Sequence, residues 1–321
     1  LKILLTHSPE AMALYYGERA LAGLRSVGEV KLNKNPSSLE GKDLIAAAAD
    51  CDLIVSYRQS PAPAELFQSL PRLVAFLRCA IDIRNVDVAA ASKAGVLVTR
   101  ASAGFVTSVS EMVLGFLVDL SRGITRSAME YRAGRVPRAA LGKELKGSTL
   151  GVIGYGAIGK EVVRMAKALG MRVLINDPYV KGIEQVSLEE LLEQSDFVVP
   201  LAVANAETEN LVNAKAFEKM KQGAYLINVS RGNLVDEAAL EAALDSGKLA
   251  GCAMDVGRAP DQMPTPRLAV RANVIATPHT AGLTTPAIEH QSMETVAQAA
   301  EIVRGKIPKG TVNAEHWKRR P

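Results

Sequence analysis

Three glycines raise the first chemical question. Gly154, Gly156 and Gly159 lie in the run GVIGYGAIG, spaced as GxGxxG, directly after the apolar stretch LGVI and at the start of the helical pattern IGKEVVRMAKAL. In a strand–turn–helix, the first glycine permits the tight turn, the second lets a pyrophosphate approach the backbone, and the third allows close helix–strand packing. The helix N-terminus offers free N–H groups and the positive end of its dipole to phosphate. Tyr155, Ala157 and Ile158 belong to the same cradle. Eighteen residues beyond Gly159, at the end of the next apolar run RVLIND, stands Asp177. A carboxylate there accepts hydrogen bonds from adenosine ribose hydroxyls and repels a 2′-phosphate, which favours NAD over NADP as cofactor. The alternative is a glycine turn used only for packing, with Asp177 capping a helix.

The elements that must hold these residues come from a chain of 321 residues, long enough for two domains with separate cores. Hydrophobic residues make up 48% and charged residues 22%, globular proportions that exclude collagen, a long coiled coil and general disorder. The net charge is only +4 and the one dense basic run, KRRP, reads as a solvated tail, so no nucleic-acid partner is expected. No apolar run approaches the roughly 18 residues of a membrane span, so no membrane partner is expected either. Cys51, Cys79 and Cys252 are far apart and form no CxxC pair. That argues against a disulfide framework or a metal site and for a cytoplasmic location.

The first hundred residues alternate apolar runs (KILLT, CDLIVSY, RLVAFLRCA, VLVTR) with helical patterns, which implies parallel βαβ units. A helical pattern follows over residues 107–120, and RASAG before it marks a domain crossing near Arg100. A second alternating series runs from STLGVIGYG through SDFVVPLA, AYLINVSRG and GCAMDV to NVIATPH, and one long helix spans about Pro286 to Arg304. The first series lacks enough chain after Arg100 to cover its own sheet, so the last helix is expected to return to it. The expected fold class is α/β: a Rossmann-type doubly wound parallel sheet over 101–283, inserted into a smaller α/β domain of 1–100 plus 284–321.

With these motifs in place, the chain resembles the D-isomer-specific 2-hydroxyacid dehydrogenase family over essentially its whole length. The matching runs are LGVIGYGAIGKEV, NDPY, LINVSRGNLVDEAAL and TPHTAGLT, in the family's order and spacing. The resemblance implies a flavodoxin-like substrate domain, a central NAD-binding domain and a homodimer acting on a small 2-keto or 2-hydroxy acid. It implies that Arg231 of SRG binds the substrate's carboxylate and carbonyl, and that His279 of PH is the general acid or base. Hydride delivery to a 2-keto carbon builds negative charge on oxygen, which an imidazolium neutralises with a proton while a guanidinium holds the anion. Asp255 corresponds to a residue that bonds the nicotinamide carboxamide, and otherwise reads as a turn residue. Thr208 corresponds to one that fixes a loop under the cofactor, and otherwise caps a helix. Cys79, Ala80 and Ile81 fall where the family's backbone N–H groups grip the substrate carboxylate.

The family pattern also breaks. Its acidic partner for the histidine is a Glu five residues after the Asp, in a run like Asp-Val-Phe-x-x-Glu-Pro, whereas residues 255–262 here read DVGRAPDQ and place Pro260 at that position. The interval to His279 is about one residue longer than usual, which would bring Asp261 into the Glu position as the partner that fixes the tautomer and stabilises the imidazolium. The alternative is a solvated Asp261. Arg78, Arg100 and Arg258 could form a pocket for a second anionic group on the substrate, or be solvated or ion-paired arginines. Two rival functions remain open: a corepressor-like NAD-binding protein with little turnover, supported by the missing Glu, and a formate dehydrogenase-like enzyme, opposed by the absence of a Gln before His279.

Overall fold

The computed structural model describes residues 1–321, which divide into two units: Leu1–Phe105 with Leu283–Pro321, and Val106–Gly282. The first unit opens with β1 (Lys2–Leu5), α1 (Pro9–Tyr15), α2 (Glu18–Val27), β2 (Glu29–Leu32) and α3 (Gly41–Ala48). It continues with β3 (Leu53–Ser56), α4 (Ala64–Ser69), β4 (Ala75–Arg78), α5 (Val88–Ala94) and β5 (Leu97–Arg100). The strands are all parallel, in the order β2-β1-β3-β4-β5. Successive side chains leave a strand on opposite faces. Ile3 and Leu5 therefore join Tyr16, Leu21 and Leu24 in one core layer, while Leu4 joins Leu44, Phe67 and Phe76 in another. Because both faces are covered, β3 and β4 are buried at every residue, the reason they read as unbroken apolar runs.

The second unit begins with two helices, α6 (Val106–Arg122) and α7 (Ile124–Arg132). Then come β6 (Thr149–Ile153), α8 (Ala157–Ala168), β7 (Arg172–Asn176), α9 (Leu188–Gln194), β8 (Phe197–Pro200) and α10 (Ala214–Lys219). The unit ends with β9 (Ala224–Asn228), α11 (Glu237–Asp245), β10 (Leu249–Met254), α12 (Pro266–Ala269) and β11 (Val274–Ala276). Its six-stranded parallel sheet has the order β11-β10-β9-β8-β6-β7. Strand order reverses between β6 and β8, and ligands bind beyond the carboxyl ends of the strands at such a point. The outer edge beyond β7 carries only a trace of a further strand: the Val186 N–H donates to the Ile175 carbonyl at 3.0 Å.

The chain then returns to the first unit as α13 (Thr285–Val303), whose Val296, Ala299 and Ile302 pack in the layer that holds Leu21 and Leu24. This supplies the cover that the sheet of the first unit lacked. The sequence placed the crossings at 100/101 and 283/284, and the structure divides at 105/106 and 282/283. Residues 101–105 stay with the first unit because the Ala101 N–H bonds the Arg78 and Ala80 carbonyls, and Ser102 is held by Glu294 on α13. No helix of the chain is long and apolar enough to cross a membrane.

Candidate active site

The glycine turn follows β6 at the switch point of the second unit. Gly154 has φ +102°, and a Cβ there would lie 2.7 Å from the Ala202 nitrogen. A Cβ at Gly159 would lie 2.2 Å from the Gly154 carbonyl oxygen. Both glycines are therefore obligatory for packing. Gly156 differs: a Cβ there meets nothing within 4 Å, so its absence keeps space open outside the turn rather than inside it. Gly156 is also the N-cap of α8 and contributes no side-chain cap. The first N–H groups of the helix, on Ala157, Ile158 and Gly159, have no partner in the protein. An open approach, uncapped donors and a helix dipole are what a pyrophosphate requires, so these residues fit a dinucleotide.

Asp177, at the end of β7, is tied to this turn rather than to a helix. Its Oδ2 accepts from the Tyr155 N–H at 2.7 Å and its Oδ1 from the Tyr179 N–H at 3.0 Å. Each oxygen keeps a lone pair for a ribose hydroxyl. Thr208 likewise closes a loop. Its hydroxyl donates to the Val203 carbonyl at 2.6 Å and accepts from the Asn205 N–H at 2.9 Å, and no helix starts there.

Arg231 and His279 stand beyond the carboxyl ends of β9 and β11. The Arg231 Nη1 donates to the Ser230 carbonyl at 2.7 Å, and the Arg231 carbonyl accepts from the Asn228 side chain at 3.0 Å. A Cβ on the adjacent Gly232 would lie 2.1 Å from the Gly257 carbonyl oxygen, and one on Gly257 would lie 2.6 Å from the Pro264 Cα. Three stretches of backbone from two loops thus stack on one another, which couples Arg231 to the 255–264 segment. Asp255, 1% exposed, organises the histidine turn. Its Oδ1 accepts from the Thr277 hydroxyl at 2.6 Å and the Thr280 N–H at 2.8 Å, and its Oδ2 accepts from the Ala281 N–H at 2.9 Å. Its carbonyl accepts the His279 N–H at 2.9 Å. The turn reading of Asp255 is the one its geometry supports.

His279 itself has φ +55°, as do its neighbours in space Asp261 (+55°) and Gln262 (+57°). Three non-glycine residues in the left-handed region at one place store strain of about 1–2 kcal/mol each. The partner of His279 Nδ1 is Asp261, as its spacing suggested, but the contact at 2.7 Å comes from the main-chain carbonyl, where the sequence led us to expect a carboxylate. Gly257 is the physical reason. Standing where the family run has Phe, it lets the segment fold back so that its N–H donates to the Gln262 carbonyl at 2.8 Å and the Ala259 N–H donates to the Met263 carbonyl at 3.0 Å. That tight turn aims the Asp261 carbonyl at the imidazole.

In the first unit, the Cys79 N–H donates to the Ser56 carbonyl at 3.0 Å, so this amide is committed to the sheet and is not available to a substrate. The N–H groups of Ala80 and Ile81 have no partner in the protein and remain for an anion. Two of the arginines considered for a second anionic group are also committed. Arg78 is fully buried and donates to the Tyr57 and Ser60 carbonyls and to the Asn85 side chain. Arg258 pairs with Glu209 at 2.8 Å and donates to Asn210 at 2.6 Å. Arg100 is exposed at the end of β5.

Known proteins are similar to this chain in sequence and in fold. A family model described as "D-isomer specific 2-hydroxyacid dehydrogenase, NAD binding domain" matches residues 114–281. The chain is 33% identical over 324 residues to a glyoxylate reductase of Korarchaeum cryptofilum, with 95% of each chain covered. It is 33% identical over 287 residues to the D-3-phosphoglycerate dehydrogenase of Rattus norvegicus, which covers 87% of this chain but only 54% of that longer protein. In three dimensions it is similar to the D-lactate dehydrogenase of Aquifex aeolicus solved with NAD and lactic acid: TM-score 0.79, 27% identity, 99% of this chain and 98% of that chain covered. Sequence motifs, sheet topology and these likenesses agree: the chain belongs to the D-isomer specific 2-hydroxyacid dehydrogenase family and is an NAD-dependent oxidoreductase acting on a CH–OH group.

Proposed function

We propose that this enzyme interconverts a small 2-keto acid and the matching D-2-hydroxy acid, with Arg231 as substrate anchor and His279 as proton donor and acceptor. The observation that carries this reading is the backbone stack through Gly232 and Gly257, which holds the Arg231 loop against the segment that orients His279. NAD, when bound, would supply or take up the hydride. Gly154, Tyr155, Gly156, Ala157, Ile158 and Gly159 would hold its pyrophosphate, Asp177 its adenosine ribose, and Thr208 the loop beneath. Asp255 holds the His279 turn and also lies where a carboxamide contact is implied. Ala80 and Ile81 take the substrate carboxylate through their free N–H groups. During reduction the imidazolium of His279 gives its proton to the carbonyl oxygen as charge develops there, and the Arg231 guanidinium stabilises that charge. During oxidation the neutral ring takes the proton back. Because the Asp261 carbonyl can only accept, Nδ1 carries a proton throughout and the exchange runs through Nε2.

The enzyme acts, in this reading, as a homodimer in the cytoplasm. Ile124, Met129 and Tyr131 on α7, with Val136 and Leu141 in the segment after it, expose apolar side chains suited to a second copy. Three unpaired, buried cysteines support a reducing compartment. The absence of the family's Glu keeps one rival alive, an NAD-binding protein with little turnover. NADH oxidation with glyoxylate, hydroxypyruvate, pyruvate and oxaloacetate separates the two. Turnover that falls at least about a thousandfold in Arg231→Ala and His279→Gln supports the dehydrogenase. NADH binding without consumption of any keto acid refutes it in favour of the rival.

A further inference from the structure

His7 follows β1 directly, at the carboxyl end of the sheet in the first unit. Strand order there reverses between β1 and β3, so this is the switch point at which an open parallel sheet receives a ligand. The ring is 2% exposed, and neither Nδ1 nor Nε2 has a hydrogen-bond partner in the protein. It lies between two tyrosines, 5.0 Å from the Tyr16 ring centroid and 5.1 Å from that of Tyr57. The Tyr57 ring in turn sits 5.3 Å from that of Tyr15, whose face carries the Arg58 guanidinium at 5.0 Å. Buried polar groups are almost always bonded. A packing role alone would be served as well by phenylalanine, with no orphaned nitrogens.

Arg78, whose charge acts on the ring, is buried with neutral hydrogen-bond partners, and its Nε also lacks an acceptor. Burial, with the Arg78 charge behind it, pushes the imidazole down to about 3, so His7 is neutral at physiological pH. A neutral ring offers one N–H and one lone pair. A carboxylate or phosphate can satisfy only the N–H, whereas a hydroxyl, donor and acceptor at once, satisfies whichever nitrogen it meets. The loop after β4, with the free N–H groups of Ala80 and Ile81, leaves the same end of the same sheet.

We propose that His7 is a specificity-determining residue that hydrogen-bonds a hydroxyl on C3 of the substrate, reached when the Tyr57 side chain swings off the imidazole. This rests on the 2-keto acid reading above and narrows its substrate class to hydroxylated three-carbon acids. A site built to bond a hydroxyl discriminates strongly against the analogue that lacks it, because its own polar group is then left unpaired.

The test compares kcat/KM for hydroxypyruvate, pyruvate, glyoxylate and oxaloacetate in the wild type, His7→Phe and His7→Gln, with a thermal melt of each. Wild type is expected to prefer hydroxypyruvate to pyruvate. His7→Phe loses hydroxypyruvate activity by about 10- to 100-fold and leaves glyoxylate, which has no C3, within about threefold. His7→Gln, which keeps a donor and an acceptor, retains most of the preference and decides the matter if His7→Phe fails to fold. An unchanged hydroxypyruvate-to-pyruvate ratio in His7→Phe, loss of the preference in His7→Gln, or wild-type preference for oxaloacetate overturns the proposal while turnover of any keto acid leaves the dehydrogenase reading standing. No turnover of any keto acid by the wild type overturns both.

Discussion

The Nδ1 of His279 lies 2.7 Å from the main-chain carbonyl oxygen of Asp261. A carbonyl dipole orients the ring and fixes its tautomer as a carboxylate would, but it brings no negative charge and no ionisation of its own. The orientation of His279 therefore depends on the backbone conformation of residue 261, φ +55°. Asparagine and glycine enter that region readily and alanine does so at about 1 kcal/mol. Asp261→Asn and Asp261→Gly should keep kcat/KM within about threefold of wild type, with Asp261→Ala lower. Steady-state NADH oxidation on the three variants checks the order. A hundredfold loss in Asp261→Asn would show instead that the carboxylate is the working group.

Asp255 makes a different prediction, because its side chain rather than its backbone is used. Both oxygens receive donors from Thr277, Thr280 and Ala281. In Asp255→Asn one oxygen becomes an NH2 that faces a donor. Losing a charge-assisted bond and opposing that donor destabilises the fold by about 2 kcal/mol, on the order of 5 °C in Tm. The turn that holds His279 loosens with it, and kcat falls at least about tenfold. Activity lost with Tm unchanged would assign Asp255 to the cofactor itself and not to the turn.

The glycines divide by what a methyl group would meet. Gly156→Ala adds a Cβ to open space, so the protein should fold with Tm within about 2 °C of wild type, while NADH binds at least about tenfold more weakly because the methyl group occupies the pyrophosphate's approach. Gly232→Ala drives a Cβ to 2.1 Å from the Gly257 carbonyl oxygen, and expression or thermal stability should suffer before binding can be measured. Fluorescence titration with NADH beside a melting curve reads both. Tight NADH binding by Gly156→Ala would remove the turn from the cofactor site.

The glycine turn was legible because all its parts are local: strand, three glycines, helix and Asp177 follow one another within one βαβ unit. The core was legible for the same reason, since strands buried on both faces carry unbroken apolar runs. The partner of His279 was legible only to the residue. That Asp261 presents its carbonyl depends on a backbone turned through φ +55° and on Gly257 folding against Pro264, neither of which a residue type announces. Cys79 looked equivalent to Ala80 and Ile81 until the Ser56 carbonyl took its N–H. His7 carried no signal, because Tyr16, Tyr57 and Arg78 reach it from three separate elements.

That burial gives His7 a second signature, in stability rather than specificity. Its imidazole is pushed down to about 3 by desolvation and then by the Arg78 charge, against about 6.5 for the unfolded chain. Between those values the unfolded state binds a proton that the folded state refuses, so stability falls as pH drops below about 6.5 and keeps falling until about 3. Over the step from pH 7 to pH 5 this one residue should withdraw about 2 kcal/mol of unfolding free energy. Carboxylates held below their usual range, such as Asp50 between Lys2 and Lys31, act in the same direction but mainly at more acid pH. Urea denaturation of wild type and His7→Phe at both pH values isolates the histidine: the wild type should lose about 2 kcal/mol more than the variant over this step. Equal losses in the two proteins would mean that His7 takes up its proton inside the fold, and that its nitrogens have found partners there.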